Sequence, residues 1–297
     1  YNKDIDTAVK ITEACAAAGC RCVEFTNRGD FAYEVFAELV KYCKANLPQV
    51  IMGVGSVVDP GTAALYMANG ANFIVGPILN PEVARVCNRR KVPYSPGCGS
   101  ASEISEAEEL GVEIVKVFPG AEVGGPAFVK AMLGPCPWTR IMPTGGVDAT
   151  EESVTAWIKA GAAALGIGSN LITKDLVAAG DFAGITAKAQ EVLWWVQKAR
   201  GASLFLGIEH PGLYPEKPAG GQEMADWYAN AFGLDVKVGN SSIFVSGKGP
   251  GRLEIMKEPT QPKTHVAVRV SNYEEAKKAL ESKGFAFEDE TDKKGVK

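Results

Sequence analysis

In VEIVKVFPG, residues 112–120, one lysine stands inside an apolar run. Val112, Ile114, Val115, Val117 and Phe118 read as a buried strand, where an ammonium group is costly unless it is paired or used. In a desolvated pocket Lys116 loses pKa, and its neutral amine can attack a ketone to form a Schiff base. A buried pair with Glu24 or Glu113 is the alternative. Glu24, in CVEFTNR, also lies among apolar neighbours. Facing the same cavity, it could carry protons through a water while a carbinolamine forms and a C–C bond breaks. It could equally pair with Arg28 on its own strand face. PTGG (143–146) and GIGSN (166–170) are glycine-rich strand tips. Their backbone N–H groups, with Ser169 and the start of the next helix, suit a phosphate, against tight-turn glycine as the plainer account. Ser56 and Ser100 are as well explained by solvated strand ends.

A second constellation lies near the other end of the chain. The sequence has two histidines, His210 in GIEHPGLY and His265 in THVAVRV, each in the opening strand of a βα unit. Glu254 lies in RLEIM. His and Glu on facing strands make a site for a divalent metal; two satisfied core histidines are the competing account.

The elements that must hold these residues fall into two sets. From residue 20 to about 200 a strand–helix unit repeats, with strand segments 21–28, 49–56, 72–77, 92–98, 112–120, 140–146 and 163–170. The segments are short and continuously apolar, as parallel strands covered on both faces should be. Their roughly even spacing suits a (β/α)8 TIM barrel, whose reactive residues gather at the C-terminal strand ends. An open doubly wound sheet is the rival, but no GxGxxG follows an early strand. The chain opens at Tyr1 on a helical pattern, so the barrel is expected with its first strand largely missing. After Gly201 the composition shifts to strands, with helices in GGQEMADWYANAFG and SNYEEAKKALESKG. This predicts an α+β domain of βαβββ followed by βα, its second module incomplete at Lys297. The expected domains are therefore 1–200 and 203–297.

With 297 residues, 46% hydrophobic and 22% charged, the composition is that of a globular protein. The net charge of −4 argues against nucleic acid or an anionic membrane as the main partner. No apolar stretch reaches transmembrane length. Seven cysteines, all between Cys15 and Cys136 and without metal-type CxxC pairing, read as reduced, mostly buried thiols of a cytoplasmic protein.

Taken together, VEFTNRG, GVGSV, SPG, VKVFPG and PTGGV resemble the 2-keto-3-deoxy-6-phosphogluconate / 4-hydroxy-2-oxoglutarate aldolases, class I enzymes, over residues 1 to about 200. The resemblance implies that Lys116 forms the Schiff base and that Glu24 is the general acid/base. It implies further that Arg28 and Thr144 hold the pyruvate end, and that Gly145, Gly146, Gly168 and Ser169 bind phosphate. A small phosphorylated 2-keto acid as substrate, a homotrimer, and no metal or organic cofactor for the aldolase are implied as well. Ser56 stands where threonine is also found, which keeps the hydroxyl. Residues 203–297 resemble the glyoxalase / vicinal-oxygen-chelate family, which implies His210, Glu254 and His265 as metal ligands with a fourth acidic ligand beyond Lys297. A metal-dependent glyoxalase-type lyase or isomerase with the barrel accessory remains open, as does a noncatalytic C-terminal binding module. A thiamine-phosphate-synthase-like phosphate barrel would leave Lys116 and Glu24 idle.

Overall fold

The computed structural model describes residues 1–203, 205–247, 251–259 and 264–286. The chain divides into two compact units, Tyr1–Gly201 and Ala202–Lys297.

The first unit alternates strands and helices. Its elements run α1 (Ile5–Ala17), β1 (Cys22–Thr26), α2 (Ala32–Asn46), β2 (Ile51–Gly55), α3 (Pro60–Ala68), β3 (Phe73–Val75) and α4 (Pro81–Arg90). They continue with β4 (Tyr94–Ser95), β5 (Gly97–Cys98), α5 (Ala101–Glu109), β6 (Val115–Val117), α6 (Gly125–Leu133) and β7 (Ile141–Pro143). Three helices close the unit: α7 (Glu151–Lys159), α8 (Lys174–Ala178) and α9 (Phe182–Ala199). Sequence-local chemistry starts most of these helices. Asp4, Asp59, Asn80, Ser100, Thr150, Thr173 and Asp181 each accept a hydrogen bond from a backbone N–H of the first turn, satisfying donors that have no intrahelical partner. Ser100 is thereby a helix cap. Glu103 folds back over this cap, accepting from the Gly99 N–H and the Ser100 hydroxyl.

All strand pairs of this unit are parallel, in the orders β1-β2-β3-β4 and β5-β6-β7. Pro96, which has no N–H to donate, separates β4 from β5, so one extended segment borders both sheets. The expected last strand, 163–170, contributes a single parallel bridge from Gly166 to Thr144 rather than a full strand. Short apolar strands supply the core, with Met52, Val54, Ile74, Val115, Val117 and Ile141 buried against Phe36 and Trp157 from the helices. Cys15, Cys43, Cys87 and Cys98 are buried, but Cys22 is exposed: it lies on β1, which has a hydrogen-bonded strand on one side only.

The second unit contains β8 (Phe205–Leu213), α10 (Gly220–Phe232), β9 (Asp235–Val238), β10 (Ser242–Ser246), β11 (Arg252–Met256), β12 (Thr264–Val270) and α11 (Tyr273–Glu281). This is the βαβββ-then-βα succession read from the sequence. The sheet order is β12-β8-β11-β10-β9; β8 and β11 are parallel and the other neighbours antiparallel. Ile243, Val245 and Ile255 point to one face and pack on Ala225 of α10; alternation along a strand sends Phe244 and Glu254 to the other. The expected end of the second module, 287–297, lies outside the described residues.

Candidate functional sites

Lys116 occupies the middle of β6 and is 6% exposed. Its register partners are Gly97 on β5 and Met142 on β7; a Cβ on Gly97 would come within 2.2 Å of the Pro77 carbonyl oxygen, so glycine lets that backbone pack close to β5. The ammonium stands 4.7 Å from the centroid of the Phe118 ring, two residues on along the same face. Among the described residues Lys116 has no carboxylate within 4.0 Å. Glu113, considered as its partner, is exposed and lies 3.9 Å from Arg140 instead. Burial lowers the Lys116 pKa; the Glu24 charge opposes that shift, and Arg28 adds to it.

Glu24 sits in β1 opposite Gly53 of β2. A side chain on Gly55, two residues further along that face, would put its Cβ 1.7 Å from Glu24 Oε1, so the glycine makes the space the carboxylate fills. Glu24 remains open to solvent, yet the protein around it desolvates the carboxyl and raises its pKa against the pull of Lys116 and Arg28. The expected pair between Glu24 and Arg28 does not form a direct contact. Arg28 donates instead from Nε to Ser56 Oγ at 3.2 Å, and Ser56 takes a left-handed φ of 63° at the end of β2. Ser56 is therefore a partner of the proposed carboxylate-binding arginine, which its strand-tip position alone did not reveal.

Two glycine tips adjoin at the ends of β7 and the segment after it. Gly145 and Gly146 have φ values of +84° and +71°, and a Cβ on Gly146 would lie 2.2 Å from that of Ala121. Glycine is required there on both counts. The Thr144 hydroxyl lies over Gly166, where a Cβ would come within 2.3 Å of it. Asn170 Nδ2 donates to Asp148 Oδ1 at 2.6 Å, tying the two tips together. Among the described residues the Gly145, Gly146, Gly168 and Ser169 N–H groups donate to no backbone carbonyl. Ser169 is exposed, and the start of the next helix, expected to join it, lies further along the chain. The next helix, α8, begins at Lys174 with its first turn already capped by Thr173.

The second unit gathers His210, Glu254 and His265. His265 of β12, Gly212 of β8 and Glu254 of β11 form one cross-strand row. Gly212 has no side chain, so the His265 ring lies across it, 2.0 Å from where a Cβ would stand, and reaches Glu254 two strands away. His210, two residues before Gly212, joins on the same face. Glu254 Oε2 is 2.9 Å from His210 Nε2 and 3.1 Å from His265 Nε2, and the two Nε2 atoms are 3.3 Å apart. One ligand atom from each residue falls within 4.8 Å of the others. Burial raises the Glu254 pKa, but the Ser242 hydroxyl and the two imidazoles outweigh it and leave the pKa lowered. His210 Nδ1 is buried without a hydrogen-bond partner among the described residues.

Comparison with known proteins bears on the first unit. A family model described as "Aldolase: KDPG and KHG aldolase" matches residues 1–188. The 2-dehydro-3-deoxy-phosphogluconate aldolase of Treponema pallidum is 34% identical over 189 residues, 64% of this chain and 87% of the relative. A KDPG aldolase from Legionella pneumophila, solved with pyruvate captured as a covalent carbinolamine, superposes with a TM-score of 0.59 at 27% identity, covering 64% of this chain and 90% of that one. The 2-keto-3-deoxy-6-phosphogluconate aldolase of Zymomonas mobilis, solved with 3-phosphoglycerate, gives a TM-score of 0.55 at 28% identity, with 64% and 86% covered.

Proposed function

The chain belongs to the KDPG and KHG aldolase family, and from that premise we propose that Lys116 is the Schiff-base nucleophile of an aldolase cleaving 2-keto-3-deoxy-6-phosphogluconate to pyruvate and glyceraldehyde 3-phosphate. The observation that carries this reading is a buried lysine, without a carboxylate within 4.0 Å, whose pKa burial lowers. A larger fraction of its amine is neutral than in an ordinary lysine, and only the neutral amine attacks.

The Lys116 amine adds to C2 of the substrate, and protons delivered to the carbinolamine oxygen let water leave. The resulting iminium withdraws electrons as C3–C4 breaks. The C4 hydroxyl gives its proton to Glu24, whose raised pKa makes it a stronger base than an ordinary carboxylate and lets it return that proton. The bonding pair becomes the enamine of pyruvate and glyceraldehyde 3-phosphate departs. Protonation at C3 regenerates an iminium, and water hydrolyses it to pyruvate and free Lys116. Arg28, steadied by Ser56, and Thr144 take the substrate carboxylate. The N–H groups of Gly145 and Gly146, with Gly168 and Ser169, take the phosphate. A nonphosphorylated 4-hydroxy-2-oxoglutarate would yield glyoxylate and leave those donors unused.

In this reading the parallel strands are members of a (β/α)8 barrel, supported by the parallel successions β1 to β4 and β5 to Gly166, which the segment 94–98 joins, and the assembly is the homotrimer that the family resemblance implies. A cytoplasmic setting belongs to the same reading; among the described residues no helix is long and apolar enough to cross a membrane. Borohydride reduction in the presence of pyruvate, followed by peptide mapping, tests the nucleophile: a stable adduct on Lys116 is expected, and its absence from a folded, trimeric sample would overturn the class I mechanism.

A second reading concerns residues 202–297. The converging His210, Glu254 and His265 favour a divalent metal, since two imidazoles and a carboxylate are a donor set that such ions take. The βαβββ-then-βα order supports a vicinal-oxygen-chelate type of unit. These side chains would hold the ion, which when bound supplies a Lewis acid. Calorimetric titration with Zn2+ or Co2+ tests it: one ion per chain, lost in Glu254→Ala, is the expected result.

A further inference from the structure

We propose that Tyr214 is the positioning residue of the second unit's cluster, its hydroxyl orienting the His265 ring so that Nε2 faces Glu254 and His210. The proposal rests on the metal reading above and assigns a role that neither the ligand set nor the strand order contains.

Three observations meet at this residue. Tyr214 Oη stands 3.3 Å from His265 Nδ1, with the rings edge to face at 6.0 Å and 81°. Tyr214 is the first residue after β8, two positions beyond Gly212, and its contact with His265 places its hydroxyl at the cluster. There the missing Gly212 side chain leaves the His265 ring within its reach. The other imidazole has no such support, because His210 Nδ1 is buried with no hydrogen-bond partner among the described residues. The two histidines are thus unequal: His265 is held at both ring nitrogens, His210 at Nε2 alone and by its packing, including Phe244 edge to face at 6.1 Å.

The hydroxyl suits both states of the ring. For His265 Nε2 to offer its lone pair to a cation, the ring proton must sit on Nδ1, where it donates to Tyr214 Oη. Without a cation, the Nε2–H can donate to Glu254 while the Tyr214 hydroxyl donates to the Nδ1 lone pair. A hydroxyl that rotates between donor and acceptor therefore keeps Nδ1 satisfied through either tautomer, so metal entry leaves no orphaned nitrogen on this ring. Phenylalanine could do neither.

The full-length chain provides the test. Co2+ is titrated into wild type and Tyr214→Phe, with affinity read by calorimetry and coordination by the visible d–d bands. Selective 15N-histidine labelling reads the tautomers, and with only two histidines in the chain each resonance is assigned by one substitution. We expect Tyr214→Phe to lose about 10- to 100-fold in Co2+ affinity and to shift the tautomer balance of His265 while His210 keeps its own. Unchanged affinity with an unchanged His265 tautomer overturns the Tyr214 assignment and leaves the metal reading standing. A wild type that takes no Co2+ overturns both. If Tyr214→Phe unfolds the unit, Tyr214→Gln carries the test, since it restores a donor and an acceptor. Affinity within about ten-fold of wild type supports the assignment, and a loss as large as that of His265→Ala overturns it.

Discussion

Lys116 and Glu254 are both ionisable groups with lowered pKa values, and they are held in opposite ways. Lys116 is set in a parallel strand, buried, with no carboxylate against it. Its neighbours at the same level are a glycine and a methionine, and a phenylalanine ring lies under its amine. Glu254 is set in a mixed sheet and touches both imidazoles directly. Desolvation without a contact ion destabilises a charge and leaves a reactive neutral amine; direct contact stabilises a charge and leaves a ligand. The first arrangement suits bond making, the second suits holding an ion.

The largest effect that could break this contrast is at the amine itself. Lys116→Met should abolish borohydride trapping and reduce kcat/KM on the order of 10⁴-fold or more, while circular dichroism stays native and Co2+ affinity is unchanged. A variant that keeps more than a tenth of the activity would remove Lys116 from the chemistry. Next comes Glu24→Gln, expected to lower kcat by about 10²- to 10⁴-fold while pyruvate can still be trapped on Lys116; loss of trapping would show that the carboxylate mainly shapes the pocket. In the other unit, Glu254→Ala should weaken Co2+ binding by more than about 100-fold with aldol cleavage intact, measured on the same sample.

A smaller and purely steric change probes the slot under His265. Gly212→Ala places a Cβ where the ring now lies and should destabilise the second unit by about 1–3 kcal/mol, read as an earlier transition in urea, with Co2+ affinity falling in step. The last prediction concerns pH. Because the folded Lys116 pKa lies below that of the unfolded chain, the folded state binds fewer protons between the two values, and stability rises with pH across that window. The penalty is fully present below the folded pKa. Lys116→Met should therefore be more stable than wild type at neutral pH and lose that advantage as pH rises toward the ordinary lysine range. Parallel unfolding curves at all pH values would contradict the shift.

The elements were legible because their causes are local. Asp4, Asp59 and Asn80 announce helix starts, and apolar runs such as VEIVKV announce covered strands. The lysine inside that run was conspicuous for the same reason, as burial could be read from its own neighbours. Where the reading failed, the missing information was nonlocal. GIGSN has a strand's composition, but Gly166 pairs through one bridge, and the next helix starts only at Lys174. Ser56 reads as a solvated tip in sequence, while in the fold Arg28 donates to it from the end of the adjacent strand.

By itself the sequence determined which residues had chemistry to offer: a lysine without a local reason, a glutamate beside it in character, two glycine tips, and two histidines with one glutamate. Tertiary structure decided which of them meet, and through what. Strand pairing placed Gly55 beneath Glu24 and Gly212 beneath His265, and only glycine allows a side chain from the next strand into that space. A glycine's freedom to turn is written in its own backbone. The room it leaves for a neighbour belongs to the pairing of strands, and that pairing is fixed only when the sheet forms.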